Sequence, residues 1–147
     1  MIATQLKICL SAAVLAGALT ASLVAGYHVA APGVVRLDGW KAPRSAAKIK
    51  NPIPPTPVSI RAGHVIFTQN CQACHGRNGK GDGPTGAFLS PHPANLTTAK
   101  FWKQGQGAIF WKITHGHSPM PSFRDSLSAK QRWDVINYIS KQFKPAG

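Results

Sequence analysis

Two cysteines and a histidine near the middle of the chain have the types and spacing that suit a metal-containing cofactor. Cys71 and Cys74 are separated by two residues, and His75 follows the second cysteine directly. Thiols at this spacing can both add to the vinyl groups along one edge of a porphyrin. The next residue then lies over the porphyrin face, where an imidazole can bind iron. Because Cys-x-x-Cys-His is the attachment pattern of c-type haem, we predict one haem c, held covalently by Cys71 and Cys74 and ligated by His75.

The same two cysteines could instead form a redox dithiol or half of a zinc site. A zinc site needs two more ligands at close spacing, whereas the remaining cysteine, Cys9, lies in an apolar N-terminal segment. A thioredoxin-like dithiol occurs in a βαβ fold, and the sequence has no convincing alternation of apolar and polar residues that would predict strands. The haem interpretation is therefore favoured over both.

Haem iron has a second axial position, for which the sequence favours Met120. This is the one methionine besides Met1, and Pro119 and Pro121 stiffen the loop that would hold its thioether. A soft thioether ligand favours Fe(II) and so raises the reduction potential, whereas a second imidazole would lower it. Four histidines are the alternative ligands, and we predict that they are exposed instead: His64, His92, His115 and His117.

The chain divides into three regions by composition. Residues 1–26 begin with one positive charge and continue as an uncharged apolar run over 8–26, which predicts a signal peptide or a membrane anchor. We favour the anchor, because the run is long and no clean cleavage site closes it. Residues 27–57 contain six prolines and are predicted to be a semi-rigid linker. Residues 58–147 would then form the folded domain.

Three helices are predicted in this domain. The first covers 60–72 with Ser59 as N-cap, the second covers 107–114, and the third covers 129–143 with Ser128 as N-cap. The glycine-rich segment 76–86 and the proline-bearing segment 90–96 are predicted to be loops. The domain is small for a stable core, and a haem would supply a large apolar plate around which a short chain can pack.

The order of the motifs over residues 59–143 resembles that of class I (mitochondrial-type) cytochromes c, particularly the bacterial monohaem branch that is attached to membranes. The motifs are A-G-x-x-x-F at 62–67, C-Q-A-C-H-G at 71–76, G-K-G-D-G-P at 79–84, P-A-N-L-T at 93–97, M-P-S-F at 120–123 and R-W-x-V-x-x-Y-I at 132–139. The resemblance implies an all-α fold, a small helical bundle around one covalently bound haem.

The resemblance also carries two expectations about packing. Gly63 would let the first and last helices cross closely, with Phe67 packed beside the crossing. A proline carbonyl, that of Pro91 or Pro93, would accept a hydrogen bond from Nδ1 of His75 and orient its ring.

The charge of the chain restricts its partners. Seventeen Lys and Arg stand against four Asp and Glu, which gives a formal charge of +13. Nucleic acid is the usual partner of so basic a protein. However, c-type haem is attached outside the bacterial cytoplasm, so we predict no nucleic acid. We expect redox partners with acidic docking surfaces, on the periplasmic side of the membrane if the protein is anchored, or in the soluble periplasm if residues 1–26 are cleaved.

The predicted function is one-electron transfer through a single His/Met-ligated haem c. The protein would be an electron carrier and not itself an enzyme, either a tethered shuttle or a haem subunit of a larger respiratory complex. The alternative is a gas-binding or peroxidatic haem protein, which needs a labile sixth ligand. Met120 between two prolines argues against that alternative, and no distal acid–base pair stands out.

Overall fold

The computed structural model describes residues 39–146. The apolar run at 8–26 and Cys9, which bear on the predicted signal or anchor, lie outside these residues. Among the described residues, no helix combines the length and apolar character needed to cross a membrane.

The described part of the chain is helical, as predicted. Its α-helices are α1 (Pro57–Asn70), α2 (Gln72–His75), α3 (Ala99–Trp102), α4 (Gln106–His115) and α5 (Ala129–Phe143), with short 3-10 helices at Ala46–Lys48 and Gly86–Phe88. Residues 39–146 contain no named strand, and the single isolated bridge joins His117 to Met120. The expectation of an all-α fold is therefore confirmed.

The first and last long helices cross at a glycine, as the resemblance implied. A Cβ atom on Gly63 would collide with the Asp134 carbonyl group and would lie 2.8 Å from Cβ of Tyr138. Phe67 is 1% exposed beside this crossing, and its ring centroid lies 5.4 Å from those of Tyr138 and Phe143. The absence of a side chain at Gly63 is what allows α1 and α5 to approach this closely.

The N-cap of α5 was predicted correctly, whereas that of α1 was not. The Ser128 side chain accepts from the Gln131 amide, and the Gln131 side chain accepts from the Ser128 amide, a capping box that begins α5 where it was predicted. The predicted start of α1 was wrong, because its N-cap is Thr56 and Pro57 occupies its first turn. Ser59 is buried inside the helix, where its hydroxyl donates to Oδ1 of Asp134 at 2.6 Å.

The C-terminal half of the predicted linker packs against the helices instead of forming a free spacer. Ala46 is 2% exposed, and a Cβ atom on Gly107 of α4 would collide with the Ala46 carbonyl oxygen. The side chain of Asn137 on α5 accepts from Asn51 at 2.8 Å and donates to the Ile53 carbonyl at 3.0 Å. Residues 46–56 are irregular apart from one short helix, as expected of a proline-rich segment, but Asn51 and the carbonyls of Ile53 and Pro54 are hydrogen-bonded to α5.

One apolar core lies between α1, α4 and α5. It is completed by residues from the loops, since Leu96, Phe123 and Leu127 are each 9% exposed or less. Half-buried apolar side chains continue this core outward, and they include Cys71 and Met120. Two residues that sequence analysis assigned to the site therefore contact the same core cluster.

Candidate haem-binding site

The two cysteines and the histidine lie on one turn of helix. Cys71 caps the end of α1, donating its amide to the Phe67 carbonyl, and α2 follows at once. The His75 amide donates to the Cys71 carbonyl at 2.9 Å, and the Cys74 amide to the same carbonyl at 3.2 Å. Residues three and four apart share a helix face, so Cys71, Cys74 and His75 project to one side of α2.

The state of the thiols does not suit a redox dithiol. Cys71 and Cys74 are free and half-buried. Burial, with a smaller contribution from the nearby Cys74, raises the pKa of the Cys71 thiol to about 12. Redox-active cysteines instead have lowered pKa values. Within residues 39–146 there is also no cluster of three or more His, Cys, Asp or Glu side chains that could hold a zinc ion.

One ring nitrogen of His75 is hydrogen-bonded to a loop carbonyl, and the other has no hydrogen-bond partner in the described residues. Burial lowers the pKa of His75, although its hydrogen bond to the Ala94 carbonyl acts in the opposite direction. Nδ1 of His75 lies 3.1 Å from that carbonyl oxygen and donates to it, which leaves the lone pair of Nε2 free to bind a metal. The orienting partner is thus Ala94, and the expectation of Pro91 or Pro93 was wrong.

The carbonyl of Pro93, one residue before Ala94, lies against the backbone of Gly81 instead of against His75. Gly81 has a φ of +84°, and a Cβ atom there would collide with the Pro93 carbonyl oxygen. The Gly81 amide donates to the His75 carbonyl at 2.8 Å. This loop therefore packs its backbone between α2 and the Pro93 carbonyl, and the carbonyl one residue later faces the imidazole.

The glycine-rich loop after His75 wraps around the helix that carries the thiols. The Thr85 amide donates to the Ala73 carbonyl at 2.9 Å, and the Gly83 amide to the Cys74 carbonyl at 3.2 Å. A Cβ atom on either Gly83 or Gly86 would collide with one of these two carbonyl oxygens. The loop fixes the position of α2 through close backbone contacts that side chains would prevent.

Met120 lies in a tight turn at the end of α4. The Met120 amide donates to the His117 carbonyl at 2.8 Å, and the His117 amide donates to the Met120 carbonyl at 2.9 Å. The segment after the turn is tied back to α4, since the Ser122 hydroxyl donates to the Thr114 carbonyl at 2.7 Å and the Phe123 amide to the Ile113 carbonyl at 3.0 Å. The half-buried methionine is therefore carried by a fixed turn, as a metal ligand requires.

The four alternative histidines are exposed, as predicted, and each ring has another partner. His115 stacks on Trp111 with centroids 4.2 Å apart, and His117 stacks on Trp40 at 5.4 Å. His64 lies against Tyr138, and Nδ1 of His92 lies 3.3 Å from the Gly86 carbonyl oxygen. These contacts favour Met120 over a histidine as the second ligand.

The arrangement fits a covalently held haem in its donor set and in its surroundings. Two free thiols and an imidazole share one helix face, and a thioether lies on a hydrogen-bonded turn. Around them, the apolar core extends into side chains that remain partly exposed: Phe101, Trp102, Phe110 and Ile113. A porphyrin is a large apolar plate, so it would cover such surfaces and exclude water from them.

Comparisons with known proteins agree with this description. The model of the family described as cytochrome c oxidase, cbb3-type, subunit III matches residues 58–139. The chain is 34% identical over 83 residues to cytochrome c6 of Limnospira maxima, an alignment that covers 56% of this chain and 92% of that protein. It is 30% identical over 96 residues to cytochrome c6 of Thermosynechococcus vestitus, covering 59% and 77%.

A solved structure is also similar to this chain. It comes from a reducing HAO-like protein complex of Kuenenia stuttgartiensis, with a TM-score of 0.56 and 32% sequence identity. The match covers 62% of this chain and 46% of that one, so this chain spans less than half of the solved protein. The segment that the family model matches contains Cys71, Cys74, His75 and Met120.

Proposed function

Since the chain belongs to the class I monohaem cytochromes c and transfers electrons through one covalently attached haem, we propose that Cys71 and Cys74 form its two thioether bonds and that His75 and Met120 are its axial ligands. The observation that carries this assignment is the turn of helix on which both thiols and His75 lie, with Nδ1 of His75 held by the Ala94 carbonyl. When bound, the haem supplies the Fe(II)/Fe(III) couple.

The protein's own groups determine where the haem is held and in which environment. Cys71 and Cys74 would each hold the haem through one thioether bond, and the hydrogen bond from Nδ1 of His75 to the Ala94 carbonyl would leave Nε2 free to ligate the iron. The half-buried aromatic side chains next to the core, Phe101, Trp102 and Phe110, would exclude water from a bound haem and keep its environment apolar. The fixed turn at Met120 supports its thioether as the second ligand.

Haem attachment is tested on the native protein. Its mass should exceed that of the polypeptide by one haem, and the haem should remain with the protein during acid–acetone extraction. Changing Cys71 and Cys74 together to Ala should release the haem into the acetone phase. A native protein of polypeptide mass without a haem adduct would overturn the proposed attachment.

The partners of this carrier are redox proteins, and we propose that they dock through acidic surfaces. The support is the formal charge of +13 and the exposure of lysines on the loops and on α3, such as Lys80, Lys100 and Lys103. The rate of electron exchange should fall as salt rises, because the Debye length shortens to about 8 Å at physiological ionic strength. A rate that does not change with salt would refute docking through this charge.

We also propose that the protein acts outside the cytoplasm and that the apolar run at 8–26 attaches it to the membrane. A tethered shuttle and a fixed subunit of a larger complex both agree with this location. The likeness to a chain of a multi-protein complex favours the subunit. Purification from membranes tests both points, because a subunit would be recovered with its partners. N-terminal sequencing that starts near residue 27, with the protein in the soluble periplasm, would contradict the anchor.

A further inference from the structure

A segment that precedes the bundle runs along α4 and ends against the turn that carries Met120. We call residues 39–49 the strap. At its C-terminal end, Ala46 is 2% exposed, and a Cβ atom on Gly107 would collide with the carbonyl oxygens of Ala46 and Ile49. The backbone of the strap therefore lies directly on the first turn of α4.

The other end of the strap reaches the C-terminal end of α4 and the residues beyond it. The Trp40 ring stacks on the His117 imidazole, with centroids 5.4 Å apart and an interplanar angle of 28°. Nζ of Lys112 lies 5.3 Å from the Trp40 ring centroid, a distance at which an ammonium is attracted to the ring. Lys112 is half-buried, and burial lowers its pKa.

These contacts give the strap a direction. Residue 46 lies at Gly107, and residue 40 lies at Lys112 and His117, so the strap runs antiparallel to α4. Gly107 and Lys112 are separated by about 8 Å along the helix axis. Six residues of chain can span about 20 Å. The strap therefore reaches from one end of α4 to the other without being stretched.

His117 connects the strap to the methionine. Its backbone exchanges two hydrogen bonds with Met120, at 2.9 Å and 2.8 Å, so a contact that fixes His117 also restricts Met120. We propose that Trp40 is a positioning residue that clamps the turn 117–120 and thereby keeps the Met120 thioether on the haem iron. This inference rests on the proposed ligation by Met120.

The clamp has a measurable consequence for ligand exchange at the iron. An added ligand such as imidazole must displace the thioether, so its apparent affinity is proportional to the fraction of molecules in which the turn is open. Removing the Trp40 ring removes one aromatic stack and one cation–π contact from the closed turn. The open fraction should then rise by about two- to tenfold, the factor that corresponds to one aromatic pair.

The test is a titration of the ferric full-length holoprotein with imidazole. Trp40→Ala should bind imidazole about two- to tenfold more tightly than the wild type, while Trp40→Phe, which keeps a ring, should lie between them. Trp111→Ala is the matched control, because Trp111 also stacks on a histidine, His115, which shares no hydrogen bond with Met120 in the described residues. The affinity of this control for imidazole should stay within about twofold of the wild type, a smaller change than the one expected for Trp40→Ala.

The outcomes separate the clamp from the ligation on which it rests. If the ferric wild type shows the weak near-red absorption of methionine ligation but Trp40→Ala binds imidazole as the wild type does, the clamp is refuted and the ligation stands. An equal gain in Trp111→Ala would also refute the clamp, because a general loosening of the domain would then explain both. A wild type without that absorption would refute the ligation and, with it, this role of Trp40.

Discussion

The buried guanidinium of Arg132 joins α5 to the chain that follows the Met120 turn, and its removal should be costly. Arg132 is 8% exposed, and its Nη1 donates to the carbonyls of Phe123, Arg124 and Leu127 at 3.1, 3.0 and 2.6 Å. Its guanidinium carbon also lies 5.2 Å from the centroid of the Phe110 ring. One nitrogen of this side chain thus lies within hydrogen-bond distance of three backbone carbonyls of a single loop.

The free energy of unfolding that Arg132 contributes can be worked out from the hydrogens that Nη1 can donate and from the nitrogen that remains without a partner. Nη1 carries two hydrogens for three acceptors, so we count two hydrogen bonds, each worth about 1.5–3 kcal/mol because the donor is charged. Nε of Arg132 is buried without a hydrogen-bond partner in the described residues, and this desolvation cost offsets part of the gain. Arg132→Met keeps an apolar stem against Phe110 and should lower the free energy of unfolding by about 3 kcal/mol.

The assay is urea unfolding of the holoprotein, followed by far-UV circular dichroism. Arg124→Met is the matched control, because Arg124 is exposed and the hydrogen bonds it makes in the described residues use its backbone amide and carbonyl. The control should change the free energy of unfolding by no more than about 0.5 kcal/mol, as surface substitutions usually do. A loss below about 1 kcal/mol in Arg132→Met, or an equal loss in the control, would refute this account of the loop.

Two further predictions concern the crossing of α1 and α5. Gly63→Ala should destabilise the protein by at least about 1–3 kcal/mol in urea unfolding, because the new Cβ would collide with the Asp134 carbonyl; an unchanged midpoint would contradict the close crossing. Burial raises the pKa of Tyr138 above its usual 10.0, so the unfolded chain loses this proton first and stability should fall as pH rises above about 10. Tyr138→Phe should therefore lose less stability than the wild type as pH rises above about 10. An equal loss of stability in the variant and the wild type would contradict this role of Tyr138.

Local signals in the sequence were sufficient for α5 and α4. Ser128 and Gln131 stand three residues apart before a run of helical periodicity, and the structure has a capping box at that position. The predicted 107–114 helix differs from Gln106–His115 by one residue at each end. These elements could be found because their caps and apolar positions lie within a few residues of one another.

The strap and the start of α1 were missed because their partners are distant in sequence. Prolines and basic residues at 43–57 are typical of a linker, and the prediction therefore ended the linker at Pro57. Asn51, between the strap and α1, is hydrogen-bonded to Asn137, which is 86 positions away, and local composition cannot reveal such a contact. Thr56 before Pro57 was an available N-cap signal, but it was interpreted as part of the linker.

The placement of the proposed attachment residues on one helical turn could be predicted from their spacing, whereas the contacts that support them could not. The pattern of Cys71, Cys74 and His75 can be recognised in the sequence because all three residues lie within one helical turn. The carbonyl that orients His75 lies in a loop containing several prolines, and the choice between Pro93 and Ala94 depends on how Gly81 packs against that loop. The buried position of Arg132 likewise depends on loop carbonyls that have no signature in the sequence.

Replacing Met120 tests the central claim most directly, namely that one haem is held by Cys71 and Cys74 with His75 and Met120 as axial ligands. Met120→Ala should keep the haem attached, lose the near-red absorption of the ferric protein, lower the reduction potential and let the ferrous form bind carbon monoxide. His117→Ala should keep the absorption, and the double variant shows whether His117 occupies the vacated position. If the wild type lacks this absorption and Met120→Ala leaves the potential unchanged, Met120 is not the ligand.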